Sequence, residues 1–328
     1  MNPVRPHEGL MGIRRSNGVK IIFFGTSKFA VPSLKKIMKS RHEVAAVVTQ
    51  PDRKRGRKLV VASPPVKMEM KDKGIPIHQP QDVASQDALE TLRRYNADLF
   101  LVVAFGQILK KDLLKIPKLY CVNLHASLLP KYRGASPINR AITNGDKKTG
   151  VTTIKMDEKM DRGDIMLRRE VDILDEETSQ SLSERLSNIG AGLLLETIEL
   201  VDKNEIKFIK QDEKDASYAY KLKKEDGLID WAVPAREIHN RVRGLAPWPG
   251  AYTHWKGKLL KIYKSAFDED DSAEKDIGAV VGLGEDTLLV GTRKGRLIIK
   301  ELQLEGGKRM SAGDFLRGHG IKTGNRFK

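Results

Sequence analysis

The sequence predicts two domains of different class, an α/β domain with a mostly parallel sheet and, after it, a smaller β domain. Short apolar runs alternate with helical patterns over residues 19–125, and these runs are apolar on both faces, as in parallel strands covered by helices. After residue 150 the alternation of strand and helix gives way to strands of alternating polarity. The length of 328 residues also corresponds to about two domains.

The first domain is predicted to contain five buried strands, each a short apolar run that stops at turn residues. They span residues 20–24, 44–48, 75–77, 99–104 and 120–124. Apolar residues at helical spacing predict helices between them, over residues 27–40, 66–73, 84–95 and 108–114. Ligands of such sheets bind beyond the carboxyl ends of the strands.

The remaining elements follow from a change of period. Residues 151–156 and 165–173 predict an antiparallel extension of the sheet, and a long helix is expected to begin at Thr178 or Ser179. Residues 204–222 lose the pattern and are interpreted as a linker. Three short strands separated by glycines, and a last helix capped by Ser311, complete the second domain. The strands are residues 259–262, 287–290 and 297–304.

Composition and charge exclude several classes of protein. One cysteine excludes a disulfide scaffold and suits a reducing compartment, and no apolar run is long enough for a membrane helix. The net charge of +16 favours an anionic partner. Residues 1–60 hold 14 basic and three acidic residues. The densest basic stretch is Arg53, Lys54, Arg55, Arg57 and Lys58.

Familiar cofactor and nucleophile motifs do not occur. The turn after the first strand lacks the G-x-G-x-x-G spacing, and neither a P-loop nor a G-x-S-x-G elbow is found, which argues against dinucleotide, P-loop and serine-nucleophile chemistry. The seven histidines are scattered without the spacing of metal ligands. No metal is therefore predicted.

Asn123 and His125 form the candidate active site. Residues two apart on a strand project from the same face, and these two end a predicted central strand. An amide donor beside an imidazole suits the stabilisation of a developing oxyanion. On this spacing alone the pair fits a loop closure as well.

The surrounding residues resemble the 10-formyltetrahydrofolate-dependent formyltransferases. That family carries Asn-x-His, then Ser-Leu-Leu-Pro and an aromatic-Arg-Gly, and later an Asp in a turn. The matching residues here are Asn123, His125, Ser127, Leu128, Leu129, Pro130, Tyr132-Arg133-Gly134 and Met160-Asp161-Arg162-Gly163. The resemblance covers residues 19 to about 325, and residues 1–18 match nothing in it.

The resemblance implies a catalytic trio of Asn123, His125 and Asp161 in a Rossmann-like domain over residues 19–203. It further implies that residues 204–222 are a linker and that 223–328 form an OB-like β-barrel that binds tRNA. Ser127, Leu128, Leu129 and Pro130 are expected to line the cleft for the co-substrate, 10-formyltetrahydrofolate.

The methionyl-tRNA branch of that family is indicated by a basic loop after the second strand and by the second domain. Arg53, Lys54, Arg55, Arg57 and Lys58 would then contact the acceptor end of initiator methionyl-tRNA, with Arg57 at the position that enters the acceptor stem. The expected activity is formylation of that tRNA for translation initiation, by a cytoplasmic monomer. Two alternatives are a formyltransferase acting on the amine of a nucleotide sugar, and a non-catalytic RNA-binding protein on the same scaffold.

Overall fold

A computed structural model describes residues 18–55, 60–269 and 276–328. The chain divides into two compact units. The first comprises the described residues of Met1–His125 together with Val151–Arg169 and Ser187–Asp212. The second comprises Ala126–Gly150, Glu170–Leu186 and the described residues of Glu213–Lys328. None of the helices in the described ranges is long and apolar enough to cross a membrane.

A seven-stranded sheet contains the five predicted strands and the predicted extension. Its strands are β1 (Lys20–Gly25), β2 (Glu43–Val48), β5 (Ile77–His78), β6 (Leu99–Val103), β7 (Tyr120–His125), β9 (Lys148–Lys155) and β10 (Ile165–Asp172). They are ordered β10-β9-β7-β6-β1-β2-β5. The pairs from β5 to β7 are parallel, whereas β9 runs antiparallel to β7, as the sequence predicts. The mostly parallel sheet is confirmed.

Helices follow the strands in the predicted alternation, with shorter bounds. The helices are α1 (Val31–Met38), α2 (Pro65–Met70), α3 (Gln86–Arg94), α4 (Lys111–Leu114), α5 (Pro137–Thr143) and α6 (Ser179–Asp202). The predicted helix over 27–40 begins as a short 3-10 turn at Lys28–Ala30. Pro32 then occupies the first turn of α1, where its missing N–H is tolerated.

The core of the first unit explains why its strands read as continuous apolar runs. Phe24, Phe100 and Phe105 pack ring against ring, with centroids 5.1 and 5.4 Å from Phe24. Every residue of β6 is buried, because neither face of this central strand meets water. Because β7 pairs with this buried strand, the sheet fixes the position of the end of β7.

The second unit is β-rich, which confirms that part of the prediction. Its main strands are β12 (Ala251–Trp255), β13 (Lys258–Asp268), β14 (Val280–Leu283), β15 (Leu288–Gly291), β16 (Arg296–Leu304) and β17 (Met310–Ser311). They pair antiparallel in the order β12-β13-β16-β15-β14, with β17 against β16. Besides α5, which also lies in this unit, its helices include α7 (Ala235–Gly244) and α8 (Ala312–His319). Ser311 caps α8 by accepting a hydrogen bond from the Asp314 amide, as predicted.

The structure adds elements that the sequence reading lacks. The basic loop contains a hairpin of β3 (Arg53–Arg55) and β4 (Val60–Ala62), and two short strands, β8 (Arg133–Gly134) and β11 (Tyr218–Ala219), pair in parallel. Helices α5 and α7 and strands β12 and β14 were also not predicted. Within the predicted linker, Ile209 bridges to Ile165 at the start of β10.

Candidate active site

Asn123, His125 and Asp161 come together in the first unit. The Asn123 side-chain amide donates a hydrogen bond of 3.2 Å to Oδ1 of Asp161. The other carboxylate oxygen, Oδ2, lies 3.6 Å from Nδ1 of His125, which is an ion-pair separation beyond hydrogen-bond length. The side chains of His125 and Asp161 are 6% and 13% exposed. The structure thus joins two motifs that lie 36 to 38 residues apart in the chain.

Strand β7 fixes the direction of the first two side chains. Asn123 pairs with Ile154 and His125 with Thr152 on β9, while the parallel strand β6 lies on the other side. Leu124, between them, faces the opposite side of the sheet, where Gly190 of α6 makes room for it. A Cβ on Gly190 would lie 2.8 Å from the Leu124 side chain. The N-x-H spacing therefore produces a shared face, as predicted.

Asp161 occupies a tight turn between β9 and β10. Its φ of 54° lies in the left-handed region, which is uncommon for a residue other than glycine. Two residues on, a Cβ at Gly163 would lie only 1.8 Å from the Lys155 carbonyl oxygen, so the backbone of the turn packs directly on β9. Because of this packing, the turn requires glycine at position 163 and holds the Asp161 carboxylate toward β7.

Gln211 ties the same turn from outside the recognised motifs. Its side-chain amide donates to the carbonyl oxygens of Asp161, at 2.8 Å, and of Gly163, at 2.7 Å. Sequence reasoning missed this residue because it lies in a stretch without periodicity. No signal in a single sequence marks it.

The predicted folate residues form a turn in the second unit. Ser127 and Leu129 are fully buried, and the Ser127 hydroxyl donates to the Lys131 carbonyl oxygen at 2.6 Å. Leu128 and Pro130 are half-buried. Ser127 and Leu129 therefore shape the turn, whereas Leu128 and Pro130 have exposed side-chain surface that can contact a ligand.

The aromatic-Arg-Gly segment that follows is held within the second unit. The Tyr132 hydroxyl donates to Asp146 at 2.8 Å, and burial together with this bond raises the pKa of Tyr132 to about 12. Arg133 is fully buried and pairs with Glu213 at 3.0 Å. Gly134 has a φ of 116° and lies against the Ala219 backbone on β11. In the part of the chain that the structure describes, these contacts fasten the motif within the second unit, which is a structural role.

The basic hairpin shows two of the five predicted tRNA residues in full. Arg53 and Lys54 are exposed on β3, and Arg53 also donates to the Gln50 side chain at 3.0 Å. Arg57 and Lys58 lie outside the described residues. Arg55 is described only as backbone of β3.

The base of the hairpin is fastened by Asp52. This carboxylate accepts hydrogen bonds from Ser63 at 3.0 Å, from Lys67 at 2.8 Å and from Gln79 at 2.8 Å. These bonds lower the pKa of Asp52, the bond from Gln79 having the largest effect. Asp52 precedes β3 and Ser63 follows β4, so one side chain joins both ends of the hairpin to α2 and to Gln79, the residue after β5.

Thr26 links three strand ends at the same edge of the sheet. Its hydroxyl donates to the Phe105 carbonyl at 2.7 Å and accepts from the Gln50 amide at 3.3 Å. Thr26 thereby connects the segments that follow β1, β2 and β6.

The lone cysteine, Cys121, is buried in β7, and burial raises the pKa of its thiol. Over the described ranges no three His, Cys, Asp or Glu residues cluster in a way that would hold a metal ion.

Comparison with known proteins places this geometry in a family. Residues 19–198 match the formyl transferase family model, and residues 221–320 match that of the formyl transferase C-terminal domain. The chain is 49% identical to the methionyl-tRNA formyltransferase of Geotalea daltonii over 309 residues, covering 94% of this chain and 98% of that protein. It is 48% identical to the methionyl-tRNA formyltransferase of Geobacter metallireducens over 310 residues, covering 94% and 99%.

A solved structure supports the same fold at lower sequence similarity. The N-formyltransferase from Helicobacter canadensis, in complex with folinic acid and dTDP-3-aminofucose, superposes with a TM-score of 0.65 at 20% identity. The match covers 86% of this chain and 98% of that one. By sequence over nearly its whole length, and by fold, this chain belongs to the formyl transferase family and, within it, to the methionyl-tRNA formyltransferases.

Proposed function

We propose that this protein transfers the formyl group of 10-formyltetrahydrofolate to the α-amino group of methionyl-initiator-tRNA, which supplies formylmethionyl-tRNA for translation initiation. The observation that carries the proposal is the contact of Asp161 with both Asn123 and His125, in a chain that matches methionyl-tRNA formyltransferases along 94% of its length. An amide, an imidazole and a carboxylate suffice for acyl transfer without a metal.

The chemistry is an attack by the neutral α-amine on the formyl carbon. A carbon–nitrogen bond forms, the formyl oxygen becomes an oxyanion, and the bond from the formyl carbon to N10 of the folate then breaks. The amine loses a proton and N10 gains one, so protons balance. Catalysis requires donors at the oxyanion and a group that moves the proton.

The three side chains divide these tasks. An Asn amide has two N–H donors, and because Asn123 gives one to Asp161, the other serves the oxyanion. Since Nδ1 of His125 faces Asp161, Nε2 is the ring atom that exchanges a proton with the reacting groups. Asp161 orients the imidazole through its contact with Nδ1.

The donor is a folate in this proposal. The solved structure of the same fold contains folinic acid, a folate with a formyl group, which supports a donor of this class. Ser127, Leu128, Leu129 and Pro130 remain the predicted folate residues, with Leu128 and Pro130 making the contacts. Their exposure fits this division, since the other two side chains are buried.

The acceptor is a tRNA rather than a sugar nucleotide. Relatives that are 48–49% identical carry the tRNA activity in their names, whereas the sugar-amine enzyme is only 20% identical. The exposed Arg53 and Lys54 supply positive charge on a hairpin at the sheet edge where β2 ends, and we assign Arg55, Arg57 and Lys58 to the same contact. Residues 223–328 are proposed as a second tRNA-binding surface. The enzyme would act as a monomer in the cytoplasm.

One assay tests donor and acceptor together. The protein is incubated with 10-formyltetrahydrofolate and either methionyl-initiator-tRNA or dTDP-3-aminofucose, and formylated product is measured by mass spectrometry. Formyl-methionine is expected from the tRNA, and no formylated sugar. Transfer to the sugar alone, or to neither acceptor, overturns the proposal. Sedimentation of the protein alone tests whether it is a monomer in solution.

A further inference from the structure

The turn that carries Asp161 is shaped unlike a free loop. Asp161 adopts the left-handed backbone conformation, which is uncommon for a residue with a side chain, and neighbouring contacts hold the turn in it. On one side the turn lies against β9: the backbone at Gly163 leaves no room for a Cβ beside the Lys155 carbonyl, and the Lys155 amide donates to the Asp164 carbonyl at 2.9 Å. These contacts alone leave the carbonyl side of the turn to be held by something else.

The planar side-chain amide of Gln211 holds the carbonyl side of the turn. The two N–H bonds of a primary amide diverge from the same nitrogen, so they can reach two acceptors only if these lie in a matching position. Nε2 of Gln211 lies 2.8 Å from the Asp161 oxygen and 2.7 Å from the Gly163 oxygen, both good hydrogen-bond lengths. The amide therefore fits the present separation of the two carbonyl oxygens and helps to maintain it.

The segment that carries Gln211 is itself anchored. Ile209 exchanges two backbone hydrogen bonds with Ile165, of 2.8 and 2.9 Å, so residue 209 is fixed to the first residue of β10. Phe208 packs edge-on against Tyr120 at the start of β7, with centroids 5.4 Å apart. Gln211 is thus delivered from a backbone tied to β10 and β7, the strands on either side of β9.

We infer that Gln211 is a positioning residue for catalysis. It acts through the backbone of Asp161 and Gly163, and it sets the distance from the Asp161 carboxylate to Asn123 and His125. This inference rests on the proposed function for its kinetic part. Its consequence is that a segment read as a linker contributes to the rate of the chemical step, although its side chain need not touch either substrate.

The expected effect follows from the geometry of catalysis. A displacement of about 1 Å in a catalytic group costs up to roughly 10²-fold in rate. Gln211→Glu keeps the shape but has no donor and places negative charge against two carbonyl oxygens. Gln211→Met keeps the length and removes all polarity. Both variants should lower kcat about 10- to 100-fold, with KM for donor and tRNA within about threefold of wild type.

A double-variant cycle separates positioning from general damage. If Gln211 acts only through Asp161, then Gln211→Met should change kcat by less than about twofold in an Asp161→Asn background, because the carboxylate it positions is already gone. Gln86→Met is the matched control, since Gln86 is an exposed amide on α3 whose side chain donates a hydrogen bond to the neighbouring Glu90. It should behave as wild type.

Hydrogen exchange gives a readout that does not depend on turnover. Peptides covering residues 156–164 should exchange faster in Gln211→Met than in wild type and in Gln86→Met. Unchanged exchange there, kcat within twofold of wild type, or the same rate loss in both backgrounds overturns the inference. If wild type formylates no tRNA, the proposed function fails, and the exchange experiment still decides whether Gln211 holds the Asp161 turn in place.

Discussion

The side-chain amide of Asn123 donates a 3.2 Å hydrogen bond to the same carboxylate, that of Asp161, whose second oxygen faces His125. In the proposed mechanism, one carboxylate therefore sets the orientation of both the oxyanion donor and the proton carrier. Loss of Asp161 should disturb two functions together, whereas loss of Asn123 should remove only one.

Replacing Asn123 by alanine should lower kcat about 10²–10³-fold, because removal of one oxyanion donor has this effect in comparable acyl-transfer sites. Folding should be intact, since Asn123 is only half-buried. The measurements are steady-state formylation of tRNA and thermal unfolding. A variant with near-full turnover would remove Asn123 from the mechanism.

Replacing Gly163 by alanine should harm both stability and turnover. The new Cβ would lie 1.8 Å from the Lys155 carbonyl oxygen, so the turn must move away from β9. Overpacking of this kind costs about 1–3 kcal/mol. Denaturant unfolding and kcat would be compared with Gly192→Ala on α6, where a Cβ meets nothing within 4 Å. Equal behaviour of the two variants would contradict the packing described for this turn.

Removing charge from the hairpin should reduce the salt dependence of tRNA binding. Each phosphate contact contributes about 0.7–0.9 to the slope of log affinity against log salt. Lys54→Gln should flatten the slope by roughly that amount. Lys36→Gln, an exposed lysine on α1, removes the same charge elsewhere in the first unit and should leave the slope unchanged. Filter binding at several salt concentrations measures both, and matching slopes would rule out a phosphate contact by Lys54.

Replacing Asp52 by alanine should weaken tRNA binding without affecting folate binding. The substitution removes the acceptor that joins Ser63, Lys67 and Gln79 at the base of the hairpin. We expect KM for tRNA to rise by about 5- to 10-fold, equivalent to roughly 1 kcal/mol, the size of a typical hydrogen-bond contribution. KM for the folate and kcat at saturating tRNA should stay near wild type. A fall in kcat alone would show that the hairpin is not the part affected.

Acid should destabilise the first unit through His42. Nδ1 of this buried ring accepts a hydrogen bond from the Val19 amide at 3.2 Å, so Nε2 carries the proton that faces Glu199 at 3.0 Å. Burial lowers the pKa of His42 below its usual 6.5. The unfolded chain therefore binds a proton at a pH where the folded chain does not, and stability falls as pH drops below about 6.5.

The measurement is the urea midpoint between pH 7.5 and 5.5. His42→Gln cannot titrate and should show a shallower decline than wild type, the difference being at most about 1.4 kcal/mol per pH unit. The salt bridge of Glu199 with Arg41 also lowers the pKa of Glu199, but that carboxylate titrates below this range. Parallel curves for the two proteins would contradict a neutral, buried His42.

Periodicity predicted the catalytic scaffold well because the physical signal there is local. Strands such as β6 are buried on both faces, so their apolar runs can be recognised in the sequence without knowing which strands they pair with. Asn123 and His125 share a face because side chains two residues apart on a strand point to the same side. The approach of Asp161 was expected only from resemblance, since it depends on a turn whose shape is set by Gly163 and Gln211. Residues such as Gln211, Thr26 and Asp52 act through contacts with distant backbone or side chains, and no spacing in the sequence records such contacts.

The turn of Asp161 and the hairpin of β3 and β4 differ in how much change in length they allow. The turn of Asp161 is held by Gly163 on one side and by Gln211 on the other, so inserting or deleting a residue there would misplace the carboxylate. The hairpin of β3 and β4 is fastened at its base by Asp52. Its length and charge can vary beyond that point while Asn123, His125 and Asp161 keep their places. A single scaffold can in this way exchange one large acceptor for another and retain its acyl-transfer chemistry.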